Sequence, residues 1–415
     1  QMFRDWFAEL SHTAETGGQA AYVFVMGSTN EILKCFDLPV VFPEINSLQL
    51  AARRVAHEYL AEAEDYGYSP DICGYVKADV ALQLRKGEHP MGRIPKPSIA
   101  VLTNACNTYI KWAEIWERMY KIPMVTIDVP GTRQADGQTW PGDHRFENDR
   151  RYVEAQIREL IDVCEEVTQK KFDIDKLREI LRHANALSVG WKRVIELNKT
   201  RPSLFNALTD GTIYLGVANG FRGAPEGGRY FTELVEEMEY KAEHKIGTLT
   251  DEKYRLAFVG VPCYPIFRRF NELFTDHGGT FVNSTYLWFA SGGTNIGFQY
   301  DFKNPLESLA EGVLVSVRDA MDSMFYQDRM LDDIVEDFGL DGIIYHPIKS
   351  CRTVSTGLAD ARRHLAEKRD IPSLFIESDL MDKRVVSEAQ MKNRIDAFFE
   401  GLASRREREK VAQAA

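Results

Sequence analysis

Eight short apolar runs rich in β-branched residues stand out along the chain, and they fall into two groups of four. The first group lies at residues 22–26, 39–42, 99–102 and 124–128, and the second at residues 256–259, 280–283, 342–345 and 373–376. Runs that are apolar at successive positions are typical of parallel strands covered by helices on both faces. The pattern therefore predicts eight strands in two parallel sheets.

Helical patterns lie between these strands, most clearly over residues 48–65, 109–120, 301–323 and 359–368. Alternation of strand and helix predicts doubly wound α/β lobes. Residues 147–198 form a further helical region, and the Gly- and Pro-containing residues 220–228 are predicted to form a loop. We expect an α/β protein with two doubly wound parallel-sheet lobes facing a cleft. The expected units are a first lobe (1–146), a helical linking region (147–250), and a second lobe with a C-terminal helix (251–415).

The two groups of strands resemble a degenerate repeat. In each group the third strand leads to a cysteine, Cys106 or Cys351, and a helix then leads to an Ile-Pro pair and the fourth strand. If the lobes face each other, both cysteines point into the cleft between them. Chance similarity is the alternative, because the α/β fold itself favours such patterns.

Composition narrows the class of protein. The chain has 415 residues, 44% of them hydrophobic and 27% charged, which indicates a globular protein of two or three domains. A formal charge of −11 argues against a surface for nucleic-acid phosphates. No apolar stretch reaches the length of a membrane-spanning helix, and the N-terminus lacks the apolar region of a signal peptide. Six cysteines without a Cys-x-x-Cys pair suggest a reduced, cytoplasmic protein.

Several common motifs are missing. The chain has no Gly-x-Ser-x-Gly elbow, no Gly-x-Gly-x-x-Gly after a strand and no Walker-type phosphate loop. These absences argue against a serine hydrolase, against a dinucleotide-binding enzyme and against binding of ATP by this chain.

Three dispersed cysteines carry the most informative signal. Cys106 and Cys351 follow predicted strands, and Cys73 precedes a helical segment. Open α/β sheets bind ligands beyond the carboxyl ends of their strands, so these thiols suggest a shared metal centre. Zinc usually takes close cysteine pairs, whereas an iron–sulfur cluster accepts widely spaced ones and can leave one iron open. Separate buried cysteines are an equally open alternative.

Two further residues are candidates for the same site. Cys263 follows the first strand of the second lobe and could be a fourth ligand, which would close a cluster and favour electron transfer. Glu44 ends the second strand of the first lobe, where it could move protons or accept a substrate hydrogen bond. The alternative for Glu44 is a helix N-terminal residue that faces solvent. Cys35 and Cys164 lie in helical segments and are expected in the core.

Five segments together resemble the benzoyl-CoA reductase and 2-hydroxyacyl-CoA dehydratase family. They are residues 104–108 with the Trp-rich helix that follows, 122–130, 350–352, 371–379 and 384–399. The resemblance runs from Tyr22 to Leu402. The chain length and the C-terminal segment are most similar to the larger, cluster-bearing B-type subunit of ATP-dependent benzoyl-CoA reductases.

This resemblance implies a cofactor and a set of partners. It implies a [4Fe–4S] cluster on Cys73, Cys106 and Cys351, with Glu44 matching a glutamate near the cluster in the dehydratases. It also implies a paralogous cluster-bearing subunit, an ATP-hydrolysing iron–sulfur activator with a ferredoxin-type donor upstream, and an acyl-CoA substrate. Cys263 lies outside the three-cysteine pattern.

The resemblance leaves three functions open. The reductases dearomatise a ring to a cyclic dienoyl-CoA, and the dehydratases eliminate water through a substrate radical. If Cys263 is a ligand, the chain could instead relay electrons only, while its paralogue holds the acyl-CoA.

Overall fold

The computed structural model describes residues 1–131, 142–289, 296–318 and 324–414. It contains two four-stranded sheets, and every strand pairing in them is parallel. The first sheet has the order β2-β1-β3-β4 and the second the order β6-β5-β7-β8. The strands are β1 (Ala21–Val23), β2 (Val40–Val41), β3 (Ile99–Thr103), β4 (Met124–Ile127), β5 (Tyr254–Val259), β6 (Gly279–Ser284), β7 (Gly342–Tyr345) and β8 (Ser373–Phe375).

Helices cover both sheets and form the region between them. In chain order they are α1 (Met2–Thr16), α2 (Asn30–Cys35), α3 (Pro43–Ala52), α4 (Ala56–Asp65), α5 (Gly74–Leu84), α6 (Asn107–Tyr120), α7 (His144–Thr168), α8 (Ile174–Leu197), α9 (Thr209–Gly220), α10 (Pro225–Glu243), α11 (Phe267–Thr275), α12 (Tyr286–Phe289), α13 (Pro305–Val317), α14 (Met324–Phe338), α15 (Arg352–Ser355), α16 (Leu358–Arg369) and α17 (Glu388–Ala414). No helix in these described ranges combines the length and the apolar character needed to cross a membrane.

The predicted fold class is confirmed. Each of the eight predicted strands is present, and the two sheets share one strand order. Cys106 follows β3 and Cys351 follows β7, so the two cysteines stand after equivalent third strands. The repeat seen in the sequence therefore coincides with a repeat in topology.

Two predicted elements were wrong in detail. The helix expected over residues 48–65 is two helices, α3 and α4, because the chain turns at Arg54, whose φ is 63°. The loop expected over 220–228 is confined to residues 221–224. Pro225 starts α10, and proline suits the first turn of a helix because its missing N–H would have no partner there. The last residues of the helix expected over 301–323 lie outside the described residues.

A buried carboxylate organises the core between β1 and α6. Asp79 of α5 accepts hydrogen bonds from the indole N–H groups of Trp112 and Trp116, both at 2.7 Å, and from Gln83 at 2.9 Å. Burial raises the pKa of this carboxyl to about 6, and the three donors oppose that rise. Two bulky indoles can therefore pack beneath the sheet without leaving a polar atom unsatisfied.

We expect Asp79→Leu to lower the free energy of unfolding by about 3 kcal/mol, because two buried indole N–H groups would lose their acceptor. Asp79→Asn should cost less, since its amide oxygen can still accept from the indoles. Chemical denaturation followed by tryptophan fluorescence measures both. Equal stability of the leucine variant and the unchanged protein would contradict this account of the core.

Candidate functional site

The three cysteines of the predicted metal centre each stand immediately before a helix. Cys73, Cys106 and Cys351 are the N-cap residues of α5, α6 and α15. Cys106 belongs to the first lobe and Cys351 to the second. The start of α5 packs on the second lobe so closely that a Cβ on Gly74 would lie 2.6 Å from Met381. The three helix starts therefore meet where the lobes face each other.

The three thiols share one electrostatic environment. Burial raises the pKa of Cys73 far above its usual range, and charges on Cys351 and Cys106 would raise it further. Burial likewise raises the pKa of Cys351 to about 11, with Cys106 adding to the effect. The Cys106 sulfur lies 3.4 Å from the Thr353 hydroxyl, across 247 positions of sequence. The structure therefore brings together the three cysteines that the sequence predicted to share a site.

Backbone N–H groups are available as hydrogen-bond donors to two of these thiols. The N–H groups of Val76 and Tyr75 favour the charged form of Cys73, and those of Val354 and Thr353 do the same for Cys351. In both cases the donors belong to the first turn of the following helix, where N–H groups have no intrahelical partner. Such donors stabilise a thiolate without any rearrangement of the chain.

Three cysteine thiols are a donor set that an iron–sulfur cluster can use. Within the described residues, no group of three or more His, Cys, Asp or Glu side chains is arranged to hold one metal ion. A cubane places each thiolate on a different iron, so its ligands stand farther apart than those of one zinc ion. Three thiols in one environment, each at a helix start, are donors of the chemical type that such a cluster takes.

Glu44 lies in the first turn of α3, which follows β2, and it is buried rather than solvent-facing. Its carboxylate accepts from the Tyr109 hydroxyl at 2.5 Å and from the Val25 N–H at 2.8 Å. Burial raises the carboxyl pKa to about 7, and the two hydrogen bonds oppose that rise. Tyr109 belongs to α6, which begins just after Cys106. The tyrosine therefore connects the carboxyl to the cysteine site.

An apolar cavity of about 200 Å³ opens beside Glu44. Aromatic side chains form one wall, and α3 and α9 form the others. Its lining includes Ile45, Leu48, Ile213, Tyr264, Phe267 and Tyr286. Tyr264 and Phe267 were not predicted from the sequence, because a Tyr-Pro-x-Phe segment after a strand is typical of the core. A flat, uncharged group would suit these walls, with Glu44 as the acidic group beside it.

A second cavity, of about 340 Å³, lies beside Cys106 and is polar. Its lining includes Asn104, Asn107, Arg318, Arg352 and Thr353. The guanidinium of Arg318 also stacks on Phe146, with its central carbon 5.3 Å from the ring centroid. A cationic, polar space therefore lies beside the cysteine site, while the apolar cavity lies beside Glu44.

Cys263 has different neighbours from the other three cysteines. It is fully buried, and burial raises its pKa to about 11, while the Ser378 hydroxyl and the Ile266 N–H oppose that rise. His346 lies nearby, with its ring nitrogens 2.6 Å from the Val261 carbonyl and 2.5 Å from Ser378. The role of Cys263 as a fourth ligand stays a prediction. Cys35 and Cys164 are buried core residues, as expected.

The fold and site define a class of protein in which two α/β lobes bring dispersed thiols to their interface. Residues 26–402 match the family described as "2-hydroxyglutaryl-CoA dehydratase, D-component". The chain therefore belongs to this family, which confirms the resemblance inferred from the sequence.

Curated relatives align over most of the chain. A benzoyl-CoA reductase subunit of Thauera aromatica is 32% identical over 100% of this chain and 96% of its own length. The (R)-phenyllactyl-CoA dehydratase alpha subunit of Clostridium sporogenes is 28% identical over 91% and 88%. The (R)-2-hydroxyisocaproyl-CoA dehydratase alpha subunit of Clostridioides difficile is 29% identical, again over 91% and 88%. The relatives thus include both reductase and dehydratase subunits.

The raised pKa of Glu44 predicts a pH-dependent stability. Its carboxyl titrates near pH 7 in the folded protein and near its ordinary 4.5 when unfolded, so the folded state binds the extra proton between these values. The contribution of Glu44 to the free energy of unfolding is therefore fully present below pH 4.5 and is lost as the pH rises to about 7.

Thermal unfolding of Glu44→Gln across this pH range should show a smaller decline in stability than the unchanged protein. Glu233→Gln, which alters an exposed carboxyl on α10, is the control and should leave the decline intact. Identical pH profiles for Glu44→Gln and the unchanged protein would contradict a buried, proton-binding Glu44.

Proposed function

We propose that this chain is the iron–sulfur subunit of an ATP-driven, low-potential aromatic acyl-CoA reductase that converts an aromatic ring to a cyclic dienoyl-CoA. One observation carries the proposal: the 32% identity to the Thauera aromatica benzoyl-CoA reductase subunit extends over 100% of this chain. The apolar, aromatic-walled cavity beside Glu44 supports it, because such walls suit an uncharged ring.

The cofactor in this proposal is a [4Fe–4S] cluster on Cys73, Cys106 and Cys351. When bound, it would supply single electrons at very negative potential, since cluster potentials extend to about −700 mV. Around it, the first-turn N–H groups of α5 and α15 stabilise thiolates. The three cysteines are half-buried between the lobes, which limits the contact of water with the site.

Glu44 is the proposed proton donor. Ring reduction consumes protons as well as electrons, so the site needs an acid that is partly protonated near neutral pH. A buried carboxyl with a pKa of about 7 meets that need. The Tyr109 hydroxyl and the Val25 N–H hold the carboxylate in one orientation at the cavity wall.

The proposal includes partners. A paralogous cluster-bearing subunit would complete the enzyme, and an ATP-hydrolysing iron–sulfur activator, supplied by a ferredoxin-type donor, would deliver electrons. Missing phosphate-loop motifs in this chain support ATP hydrolysis by a separate protein. The acyl-CoA is the substrate.

A 2-hydroxyacyl-CoA dehydratase subunit is the second candidate. The match of residues 26–402 to the dehydratase family favours it, as do dehydratase subunits at 28% and 29% identity. Glu44 would then help the hydroxyl group leave by protonating it. A subunit that relays electrons only is a third candidate, and it requires Cys263 as a fourth ligand.

Iron and acid-labile sulfide in the anaerobically purified protein test the cofactor. We expect about four of each per chain, because one cubane contains four irons and four sulfides. Cys106→Ser should lose or deplete both, whereas Cys164→Ala, which alters a core cysteine, should retain them. Cys263→Ala distinguishes the electron-relay candidate from the other two. A variant that retains its iron would show that Cys263 is not a required fourth ligand. Absence of iron from the unmodified protein would overturn the cluster.

The reaction is tested with the reconstituted complex of both subunits, activator, ATP and a reductant. Benzoyl-CoA should give a cyclic dienoyl-CoA detectable by mass spectrometry, and (R)-2-hydroxyacyl-CoA should remain unchanged. Glu44→Gln should lower kcat by roughly 10²-fold or more, the usual contribution of a general acid, with Glu233→Gln as control. Formation of an enoyl-CoA from the hydroxyacyl substrate alone would favour the dehydratase instead.

A further inference from the structure

The hydrogen-bonding groups at the three thiols differ in kind. Those at Cys73 and Cys351 are backbone N–H groups from the first turn of the helix that each cysteine begins. The partner that the structure gives Cys106 is a side chain, the hydroxyl of Thr353, 3.4 Å from the sulfur. A backbone donor is present whatever residue occupies the position, but a hydroxyl depends on the side chain. Whether the Cys106 sulfur has this hydrogen bond therefore depends on which side chain occupies position 353.

The position of Thr353 gives this contact a second property. Thr353 belongs to α15 in the second lobe and lies two residues after Cys351, whereas Cys106 belongs to the first lobe. Its backbone N–H supports the Cys351 sulfur, and its hydroxyl contacts the Cys106 sulfur. One residue thus bonds two of the three thiols across the interface between the lobes.

Hydrogen bonds to ligating sulfurs are among the factors that set cluster potentials. A donor withdraws electron density from the sulfur, so it stabilises the reduced cluster more than the oxidised one. Loss of that donor makes the cluster harder to reduce.

We propose that Thr353 tunes the reduction potential of the cluster by donating its hydroxyl hydrogen to the Cys106 thiolate. This role rests on the proposed function, because it requires the cluster on Cys73, Cys106 and Cys351. Thr353 acts through Cys106, so it is a positioning residue. Its effect is on potential rather than on assembly.

Three variants separate the hydroxyl from the shape of the side chain. Thr353→Val keeps the branched shape and removes the donor, and Thr353→Ser keeps the donor and removes a methyl group. Thr356→Val is the matched control. It lies on the same cavity wall, but its hydroxyl donates to the Arg352 carbonyl at 2.7 Å rather than to a sulfur.

The measurement is the midpoint potential of the cluster, from a redox titration followed by electron paramagnetic resonance. Iron and sulfide are counted first in every variant. Thr353→Val should shift the potential to more negative values, while Thr353→Ser and Thr356→Val stay close to the unchanged protein. If Thr353→Val assembles poorly, Thr353→Ala supplies the same loss of donor with less bulk.

The outcomes distinguish this inference from the proposed function. No iron in the unchanged protein would overturn the cluster, and this role with it. A full cluster with the same potential in Thr353→Val as in Thr353→Ser would overturn the role of Thr353 alone. Resonance Raman spectra give a second readout, since loss of the donor should raise the iron–cysteine sulfur stretching frequency.

Discussion

The convergence of three half-buried cysteines at one interface is the constraint on which this structure depends. An isolated buried thiolate is unfavourable, and burial accordingly raises the pKa of Cys73 and of Cys351. A helix starts at each cysteine, and at Cys73 and Cys351 the first turn offsets that cost by supplying N–H donors before any cation binds. The placement of α5, α6 and α15 is therefore part of the chemistry of the site as well as of its packing.

One loop of the first lobe links this arrangement to Glu44. Between β1 and α2, the Val25 N–H donates to the Glu44 carboxylate, and the Met26 carbonyl accepts from the hydroxyl of Thr103 at the end of β3. Gly27 has a φ of 74°, and a Cβ there would lie 2.6 Å from the Thr103 side chain. The loop approaches β3 this closely only because residue 27 has no side chain. The loop therefore holds Glu44 and β3, the strand that leads to Cys106, in fixed positions relative to each other.

Local patterns predicted the strands and the three cysteines that meet at the interface between the lobes, because apolar runs and the residues after them can be recognised in short segments. The burial of Glu44 could not be predicted from a local pattern, because it depends on Tyr109, which is 65 positions away. The buried pair of Glu31 and Arg222, 2.7 Å apart, was also missed, because single charged residues usually lie on the surface. The domain boundaries stay a prediction.

A polar cavity lies beside Cys106 and an apolar cavity lies beside Glu44, so polar and apolar chemistry have separate spaces. On the apolar side, the lining groups that can exchange a proton are Glu44, Tyr264 and Tyr286. Burial raises the pKa of Tyr286 to about 12 and that of Tyr264 well above its usual range, so both phenols keep their protons at neutral pH. Glu44, with a pKa of about 7, is then the described lining residue that can donate and recover a proton there. Proton supply at this wall therefore depends on a single carboxyl, held by a tyrosine from the helix that Cys106 begins.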